Sequence, residues 1–396
     1  MMKVLISGAG IAGPTLAYWL AEYGFQPTIV EVAPGLRTGG YVIDFWGAGF
    51  EIADRMGLLR EIRSKGYMLR EVRVVNNEGR RVAGFPAEAF SRMTHGRYVS
   101  LPRGELSASI FGKIRGRVET IFGDSVDRIV QTQDCAQVVF ASGSTREFDL
   151  VVGADGLHSR VRELVFGPES RFEKYLGYKA AAFGTTGYRS RDELVYVMYT
   201  QVGQQVGRFA MRDDRTMFLF TFADEDPGSP GDVQSQKALL RRRFEGSGWE
   251  CEQILAALDA AHDLYFDRVS QIRMDPRQGL WTRGRVTLIG DAASCVSLLA
   301  GQGTALAMVA AYILAGELGR CRGNYAWAFR RYQELFGPFV LAKQKAALRF
   351  AGSFAPKSNL MLFLRNQIFR LMAVRWIADL AVGRDLADYI SLPDYR

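Results

Sequence analysis

The amino-terminal segment constrains the fold of this chain most strongly. An apolar run from Val4 to Ile6 leads into the turn Gly8-Ala9-Gly10-Ile11-Ala12-Gly13, and a helical pattern follows from Pro14 to Glu22. A second apolar run from Pro27 to Glu31 completes a β-α-β unit. Glycines in such a turn let the backbone approach a pyrophosphate, to which the helix amino terminus presents unpaired N–H groups. The segment therefore predicts a nucleotide-binding turn in an α/β fold.

Glu31 strengthens this interpretation, because it ends the second strand 18 residues after Gly13. A carboxylate in this place is suited to accept hydrogen bonds from the hydroxyl groups of a ribose. A purely structural glycine turn is the alternative, and it gives the acidic residue no role. The pattern predicts a dinucleotide, but by itself it does not distinguish FAD from NAD.

Two later segments bear on that choice, because a simple NAD-dependent dehydrogenase needs neither. Asp155 follows a predicted buried strand at 148–153, and Asp291 follows another at 285–289. The Asp291 carboxylate is suited to accept a hydrogen bond from a ribityl hydroxyl group. Asp155 has a structural alternative, since Asp is a favoured cap for a helix that begins near Ser159.

A further glycine segment, Gly301-Gln302-Gly303-Thr304, opens a predicted helix that runs to Gly319. The N–H groups of the first helical turn have no partners within the helix. If they face the ring of a flavin, they stabilise negative charge on its reduced form. The segment thus favours FAD over NAD.

Together, these motifs resemble those of the FAD-dependent aromatic hydroxylases of the p-hydroxybenzoate hydroxylase class, the group A flavin monooxygenases, over essentially the whole chain. The resemblance implies an α/β fold: a Rossmann-like FAD-binding domain with an inserted antiparallel-sheet substrate domain and a C-terminal helix. It implies FAD as cofactor, with NADPH and O2 as co-substrates that hydroxylate an aromatic or polyketide-like small molecule through a C4a-hydroperoxyflavin. Because the flavin carries this chemistry, no catalytic side chain is expected.

The resemblance also assigns roles to single positions. Arg103 matches the arginine beside the flavin, Arg37 and Asp44 match the loop after the ribose-binding acid, and Asp155 would serve both FAD and transiently docked NADPH. For each charge taken alone, a solvated surface residue is the alternative. The expected cofactor contacts are Gly8, Gly10, Ile11, Ala12, Gly13, Glu31, Arg37, Asp44, Arg103, Asp155, Asp291, Gly301, Gln302, Gly303 and Thr304.

Within the class, the chain is most similar to the tetracycline-inactivating monooxygenases and the polyketide-tailoring hydroxylases. The similarity rests on the segments AYWLAEYGF, AAYILAGEL, GWE and ISLPDYR. Ser294, Leu298 and Ala305 stand where His, Pro and Asn are usual, so tetracycline is only one candidate substrate. The alternatives are a reductase or epoxidase on the same fold and a non-catalytic, flavin-bearing protein that sequesters a ligand.

The sequence changes in character between about 173 and 265, where segments such as LVYVMYTQV and TMFLFTFA predict an antiparallel sheet. We predict an FAD-binding domain at 1–72, 98–172 and 266–350, and a substrate-binding domain at 73–97 and 173–265. Residues 351–396 would form a helix that bridges the two. The expected substrate contacts, for which burial in the sheet core is the alternative, are Phe183, Tyr188, Arg208, Phe220 and Leu298.

The composition argues against several other classes of protein. Lys and Arg number 50 against 42 Asp and Glu, and the net charge of +8 attracts anionic ligands. The basic residues are scattered and match no zinc-finger or RNA-binding pattern, so no nucleic-acid partner is expected. The four cysteines form no CxxC pair, and no apolar run is long enough to span a membrane. We therefore expect a cytoplasmic monomer with no metal site and no stable membrane insertion.

Overall fold

The computed structural model describes residues 1–37, 40–94, 96–322, 324–372 and 390–395. Its strands are β1 (Lys3–Ser7), β2 (Gln26–Glu31), β3 (Val42–Trp46), β4 (Glu71–Val75), β5 (Arg81–Pro86), β6 (Tyr98–Pro102), β7 (Glu119–Phe122), β8 (Val126–Gln131), β9 (Ala136–Phe140), β10 (Thr145–Phe148), β11 (Leu150–Gly153), β12 (Glu173–Thr186), β13 (Val195–Gln201), β14 (Gln204–Ala210), β15 (Arg215–Ala223), β16 (Tyr265–Ile272), β17 (Thr282–Arg283) and β18 (Val286–Leu288). Its α-helices are α1 (Ala12–Glu22), α2 (Ala48–Arg55), α3 (Leu59–Lys65), α4 (Glu88–Met93), α5 (Arg103–Gly112), α6 (Arg160–Phe166), α7 (Val233–Phe244), α8 (Cys251–Ala260), α9 (Asp291–Ser294), α10 (Gly303–Arg320), α11 (Tyr325–Phe354) and α12 (Asn359–Leu371).

A six-stranded sheet in the order β17-β18-β11-β1-β2-β7 carries the glycine turn. The predicted β-α-β unit is confirmed, because β1 and β2 are parallel neighbours joined through α1. β11 pairs in parallel with β1 on one side and with β18 on the other. The carboxyl ends of β1, β11 and β18 therefore meet at one edge of the sheet, which is where open α/β sheets bind their ligands. The three motifs found in the sequence follow directly from these three strand ends.

A seven-stranded sheet in the order β16-β12-β15-β14-β13-β4-β5 forms the second large layer. β4 and β5 form an antiparallel hairpin at one end of this sheet. The antiparallel sheet predicted between about 173 and 265 is confirmed, because β12 to β16 pair with one another only in antiparallel orientation. The hairpin extends this sheet in a way that was not predicted, since β4 pairs with β13 in parallel. The hairpin comes from a distant part of the chain and adds to the edge strand, so the local alternation of β12 to β15 gave no sign of it. One face of the sheet packs on α7 and α8 around a core that includes Phe183, Phe218 and Phe220.

Two smaller sheets complete the strands: an antiparallel meander of β8, β9 and β10, and the ribbon of β3 and β6. Neither the ribbon nor the helix α8 was expected from the sequence. In α8, Ile254, Leu255 and Leu258 are buried at the spacing of one helix face. The ribbon carries Asp44 towards the seven-stranded sheet, near Tyr196 of β13.

Of the bridging helix predicted at 351–396, the structure describes α12, while 351–354 are the end of α11 and residues 373–389 lie outside the described residues. α12 packs on the seven-stranded sheet: the Phe369 ring lies 5.4 Å from that of Phe85, and Arg370 donates a 2.8 Å hydrogen bond to the Val82 carbonyl. The segment 390–395 then packs on the helices of the six-stranded sheet. Within the described ranges, we find no helix with the length and apolarity to span a bilayer.

Candidate active site

A cavity of about 560 Å³ lies at the carboxyl edge of the six-stranded sheet and extends to the seven-stranded sheet. The structure brings most of the predicted site residues together there. Those that line the cavity are Gly8, Gly10, Ile11, Ala12, Glu31, Arg37, Arg103, Asp155, Asp291, Leu298, Gly301, Gly303 and Thr304.

Two glycines of the amino-terminal turn are required by backbone packing. Gly8 has φ +109°, and a Cβ atom there would lie 2.5 Å from the carbonyl oxygen of Ala154 after β11. A Cβ atom on Gly13 would lie 2.0 Å from the carbonyl oxygen of Gly8. At Gly10, by contrast, the nearest atom would be a guanidinium nitrogen of Arg103 at 3.6 Å. Gly8 and Gly13 therefore shape the turn, whereas Gly10 keeps the cavity open.

Glu31 is fixed at the edge of the cavity by the turn itself. Its carboxylate accepts hydrogen bonds from the Ala9 N–H at 2.8 Å and the Ala33 N–H at 3.0 Å. A carboxylate has about four acceptor positions, so two remain for ligand hydroxyl groups. This geometry fits the ribose role expected from the sequence.

Asp155 lines the cavity and also contacts the start of α6, although the N-cap of that helix is Ser159 and not Asp155. Its carboxylate accepts hydrogen bonds from the Ser159 hydroxyl at 2.5 Å and from the Val161 N–H at 3.0 Å. Both partners lie at the start of α6, whose N-cap is Ser159. Burial raises the pKa of Asp155, while these hydrogen bonds oppose that shift. The residue thus anchors α6 against the strand ends.

Asp291 and the amino terminus of α10 lie together on another wall of the cavity. Burial raises the pKa of Asp291, and the positive charge of Arg103 opposes this. α10 begins at Gly303, and its N-cap residue Gln302 makes no side-chain capping bond, so the N–H groups of the first turn can meet a ligand. Glycines at 301 and 303 keep side chains away from this terminus.

Two tyrosines that the sequence analysis missed close the cavity towards the seven-stranded sheet. The rings of Tyr41 and Tyr265 lie 5.4 Å apart, and both residues line the cavity. Burial raises the pKa of Tyr41 to about 12, so its hydroxyl group stays protonated at physiological pH. The two residues come from distant segments, and no spacing or motif linked them.

His158 lies at the rim, and its side chain is 53% exposed. Its ring nitrogens lie 3.3 Å from a carboxylate oxygen of Asp267 and 3.0 Å from one of Glu169. Hydrogen bonds to Asp267, which contributes most, and to Glu169 raise the pKa of His158 to about 10. An imidazolium cannot accept a proton, so these two ion pairs disfavour a role of His158 as a base.

Four of the five expected substrate contacts need a correction, because they do not line this cavity. Phe183 and Phe220 are 2% and 0% exposed and lie in the core beneath α7 and α8. Tyr188 donates a 2.9 Å hydrogen bond to Glu250, and the Arg208 guanidinium pairs with Glu250 and Asp192 on that same side of the sheet. Successive residues of a strand face opposite sides, and the sequence did not show which side faces the cofactor. Leu298 alone of the five lines the cavity.

Three expected cofactor contacts lie beside the main cavity. Gly13 packs under Gly8, as described. Asp44 accepts hydrogen bonds from Tyr98 at 2.7 Å and Ser100 at 2.6 Å, and it lines a small adjoining pocket together with Gln302.

A glycine turn at a helix terminus, a ribose-type carboxylate and a second open helix terminus on one cavity define a flavin-type dinucleotide site, and the open space at Gly10, Gly301 and Gly303 fits such a ligand. Residues 1–324 match the family described as FAD binding domain, so the chain belongs to this family and its cofactor is FAD.

Relatives with stated activities narrow the class further. A flavin-dependent monooxygenase from an unknown prokaryotic organism is 36% identical over 399 residues, which cover 99% of each chain. Another, from Legionella longbeachae, is 32% identical and covers 100% of this chain and 98% of the relative. The crystal structure of tetracycline destructase Tet(51) is 33% identical, with a TM-score of 0.84 over 100% of both chains. The chain is an FAD-dependent monooxygenase.

Proposed function

We propose that the enzyme uses NADPH and O2 to hydroxylate an electron-rich aromatic or polyketide-like small molecule, for which tetracyclines are one candidate class. One observation carries this proposal: a single cavity runs from the glycine turn past Arg103 and Asp291 to Tyr41, Tyr265 and Leu298 beside the seven-stranded sheet. In such a cavity, a substrate beside the seven-stranded sheet can reach the flavin ring at one end of FAD. The similarity to tetracycline destructases supports the candidate class.

We propose the following roles in holding FAD. The turn 8–13 and the amino terminus of α1 bind the pyrophosphate, Glu31 binds the ribose, and Asp291 binds the ribityl chain. Arg103 and the amino terminus of α10 stabilise negative charge near the flavin ring. FAD, when bound, supplies the oxidative chemistry.

The side chains at the far end of the cavity would exclude water and orient the substrate. Tyr265 begins β16 and Leu298 precedes α10, so both lie where the two large sheets meet. Exclusion of water protects reactive oxygen species in such a site from wasteful breakdown. In this proposal, 1–72, 98–172 and 266–350 hold FAD, 73–97 and 173–265 face the substrate, and 351–396 bridges the two.

NADPH would dock transiently at the rim of the cavity. Arg37 and Arg160 are exposed and both line the rim, and such cationic groups attract phosphates. We further propose that the enzyme acts as a monomer in the cytoplasm, where the four free cysteines stay reduced.

The decisive experiment is product analysis after incubation with NADPH, O2 and a panel of aromatic polyketides that includes a tetracycline. The proposal predicts a product with one added oxygen atom, labelled when ¹⁸O2 is used, and no product without NADPH. A product that gains two hydrogens and no oxygen would identify a reductase. An oxygen atom that NMR places in a three-membered ring would identify an epoxidase.

A further inference from the structure

The carboxyl-terminal segment 390–395 lies in a groove on the helices of the six-stranded sheet. Ile390, Leu392 and Tyr395 pack against the same hydrophobic core that contains the buried faces of α1 and α10. The groove lies beyond the end of α10 that is remote from the cavity, since α10 starts at the cavity with Gly303 and contacts the segment at 312–320.

The main chain of the segment is held by three donors. The Pro393 carbonyl oxygen accepts hydrogen bonds from the Arg55 guanidinium of α2 at 3.1 Å and from the Tyr312 hydroxyl of α10 at 2.9 Å. The Asp394 carbonyl oxygen accepts a 2.6 Å hydrogen bond from Arg320. Two consecutive carbonyl groups of the segment thus accept hydrogen bonds from side chains of two different helices.

Tyr395 occupies a site shaped to its ring. A Cβ atom on Gly316 would lie 2.1 Å from a ring carbon of Tyr395, so the absence of a side chain there makes room for the ring. The Arg320 guanidinium carbon lies 4.4 Å from the ring centroid. The Tyr395 hydroxyl donates a 2.7 Å hydrogen bond to Glu317, which is 1% exposed. Ring, cation and buried acceptor together make the site specific for a tyrosine.

The same aromatic cluster joins α1 to α10. The Tyr312 ring lies 5.2 Å from Tyr395 and 5.0 Å from Trp19 of α1, with edge-to-face geometry in both pairs. α1 and α10 each point their amino terminus at the cavity, through Ala12 and Gly303. The segment therefore binds at the end of α10 that is remote from the cavity, and through Tyr312 it reaches Trp19 of α1. These are the two helices whose amino termini we place at the flavin ring and at the pyrophosphate of FAD.

We propose that segment 390–395 is a clasp: its binding in the groove of Arg55, Tyr312, Gly316, Glu317 and Arg320 holds α1 against α10 and so sets the affinity for FAD. Two helix termini that bind one ligand must keep a fixed relative position and orientation, and motion between the helices lowers the affinity for the ligand. The groove recognises a peptide with two successive free carbonyl groups followed by a tyrosine. The inference rests on FAD binding and not on the substrate proposed above.

The test uses the full-length protein and the variants Tyr395→Ala and Tyr395→Phe. Hydrogen exchange of 390–395 reports release of the clasp, and quenching of flavin fluorescence gives the dissociation constant for FAD. We expect Tyr395→Ala to speed exchange in 390–395 and to weaken FAD binding about tenfold, the effect of losing one aromatic contact and one hydrogen bond. Tyr395→Phe keeps the ring and should show a smaller effect. Phe363→Ala, which removes a ring that is 57% exposed on α12, is the matched control and should change neither measurement.

Two results would overturn the proposal. If exchange in 390–395 speeds up while the FAD dissociation constant is unchanged, the clasp has no effect on the cofactor. If Tyr395→Ala leaves exchange in 390–395 unchanged, the tyrosine does not anchor the segment. Should Tyr395→Ala fail to fold, Arg320→Gln removes the bond to Asp394 and the cation over the ring, and the same two measurements decide. Neither readout requires a substrate, so failure of the hydroxylase proposal stays distinguishable.

Discussion

Alanine substitutions at two glycines of the amino-terminal turn are expected to separate folding from cofactor binding. At Gly13 a Cβ atom would lie 2.0 Å from the Gly8 carbonyl oxygen, a backbone atom that moves only if the turn opens. Overpacking costs roughly 1–3 kcal/mol, and more where backbone must move, so Gly13→Ala should lower the free energy of unfolding by about 3 kcal/mol. At Gly10 the nearest atom is the end of the Arg103 side chain at 3.6 Å, so Gly10→Ala should stay within about 0.5 kcal/mol of the wild type.

Urea denaturation of the FAD-free protein measures the free energy of unfolding, and titration with FAD measures the dissociation constant of the cofactor. Gly10→Ala should weaken FAD binding at least tenfold, or about 1.4 kcal/mol, because its methyl group enters the cavity. Gly112→Ala at the end of α5, where a Cβ atom meets nothing within 4 Å, is the control for the substitution itself. Two results would contradict these roles of the glycines: Gly13→Ala unfolds at the wild-type urea concentration, or Gly10→Ala destabilises the FAD-free protein as much as Gly13→Ala does.

Three further predictions concern the side chains of Arg208, His158 and Tyr265. Arg208→Met should lower the free energy of unfolding by about 3 kcal/mol, seen as a lower urea midpoint, because it leaves the Glu250 carboxylate, which is 16% exposed, without its cation, whereas Asp192 keeps its ion pair with Arg73. The folded state raises the pKa of His158 to about 10, so its ion pairs stabilise the protein fully below pH 6.5 and less as the pH rises towards 10. His158→Gln removes this stabilisation, and the difference in melting temperature between variant and wild type should therefore shrink over that range. A difference that stays constant with pH would contradict the ion pairs. Tyr265→Ala should open the cavity to water, so that more NADPH is consumed per hydroxylated product and more hydrogen peroxide appears, whereas unchanged coupling would argue against a closing role.

The cofactor half of the site was predictable because its geometry follows from strand order. Residues 8–13, Asp155 and Asp291 are remote in sequence, but each follows a buried strand, and parallel strands bring their carboxyl ends to one edge. Glu31 could be placed for the same reason, since it ends the strand next to β1. Chemistry that depends on strand ends is thus visible in a single sequence.

The substrate half was less predictable because it depends on which side of a sheet faces inwards. The sequence put the large rings of Phe183 and Phe220 on strands but did not show what covers them, and α7 and α8 lie over the face that carries these rings. Tyr41 and Tyr265 meet only through the packing of the two large sheets, and no local pattern encodes such a contact. The same holds for the parallel pairing of β4 with β13.

That parallel pair has a consequence for synthesis of the chain. The hairpin of β4 and β5 leaves the ribosome long before β13, so β4 waits with an unpaired edge while the intervening strands of the six-stranded sheet are made. Pairings that close such long loops slow folding, and an exposed edge invites contact with other chains meanwhile. Arg73 and Arg81 on this hairpin add charge to the waiting strands, which disfavours edge-to-edge association. Because β4 pairs with a strand that is made much later, the incomplete chain relies on the charges of this hairpin to avoid association with other chains.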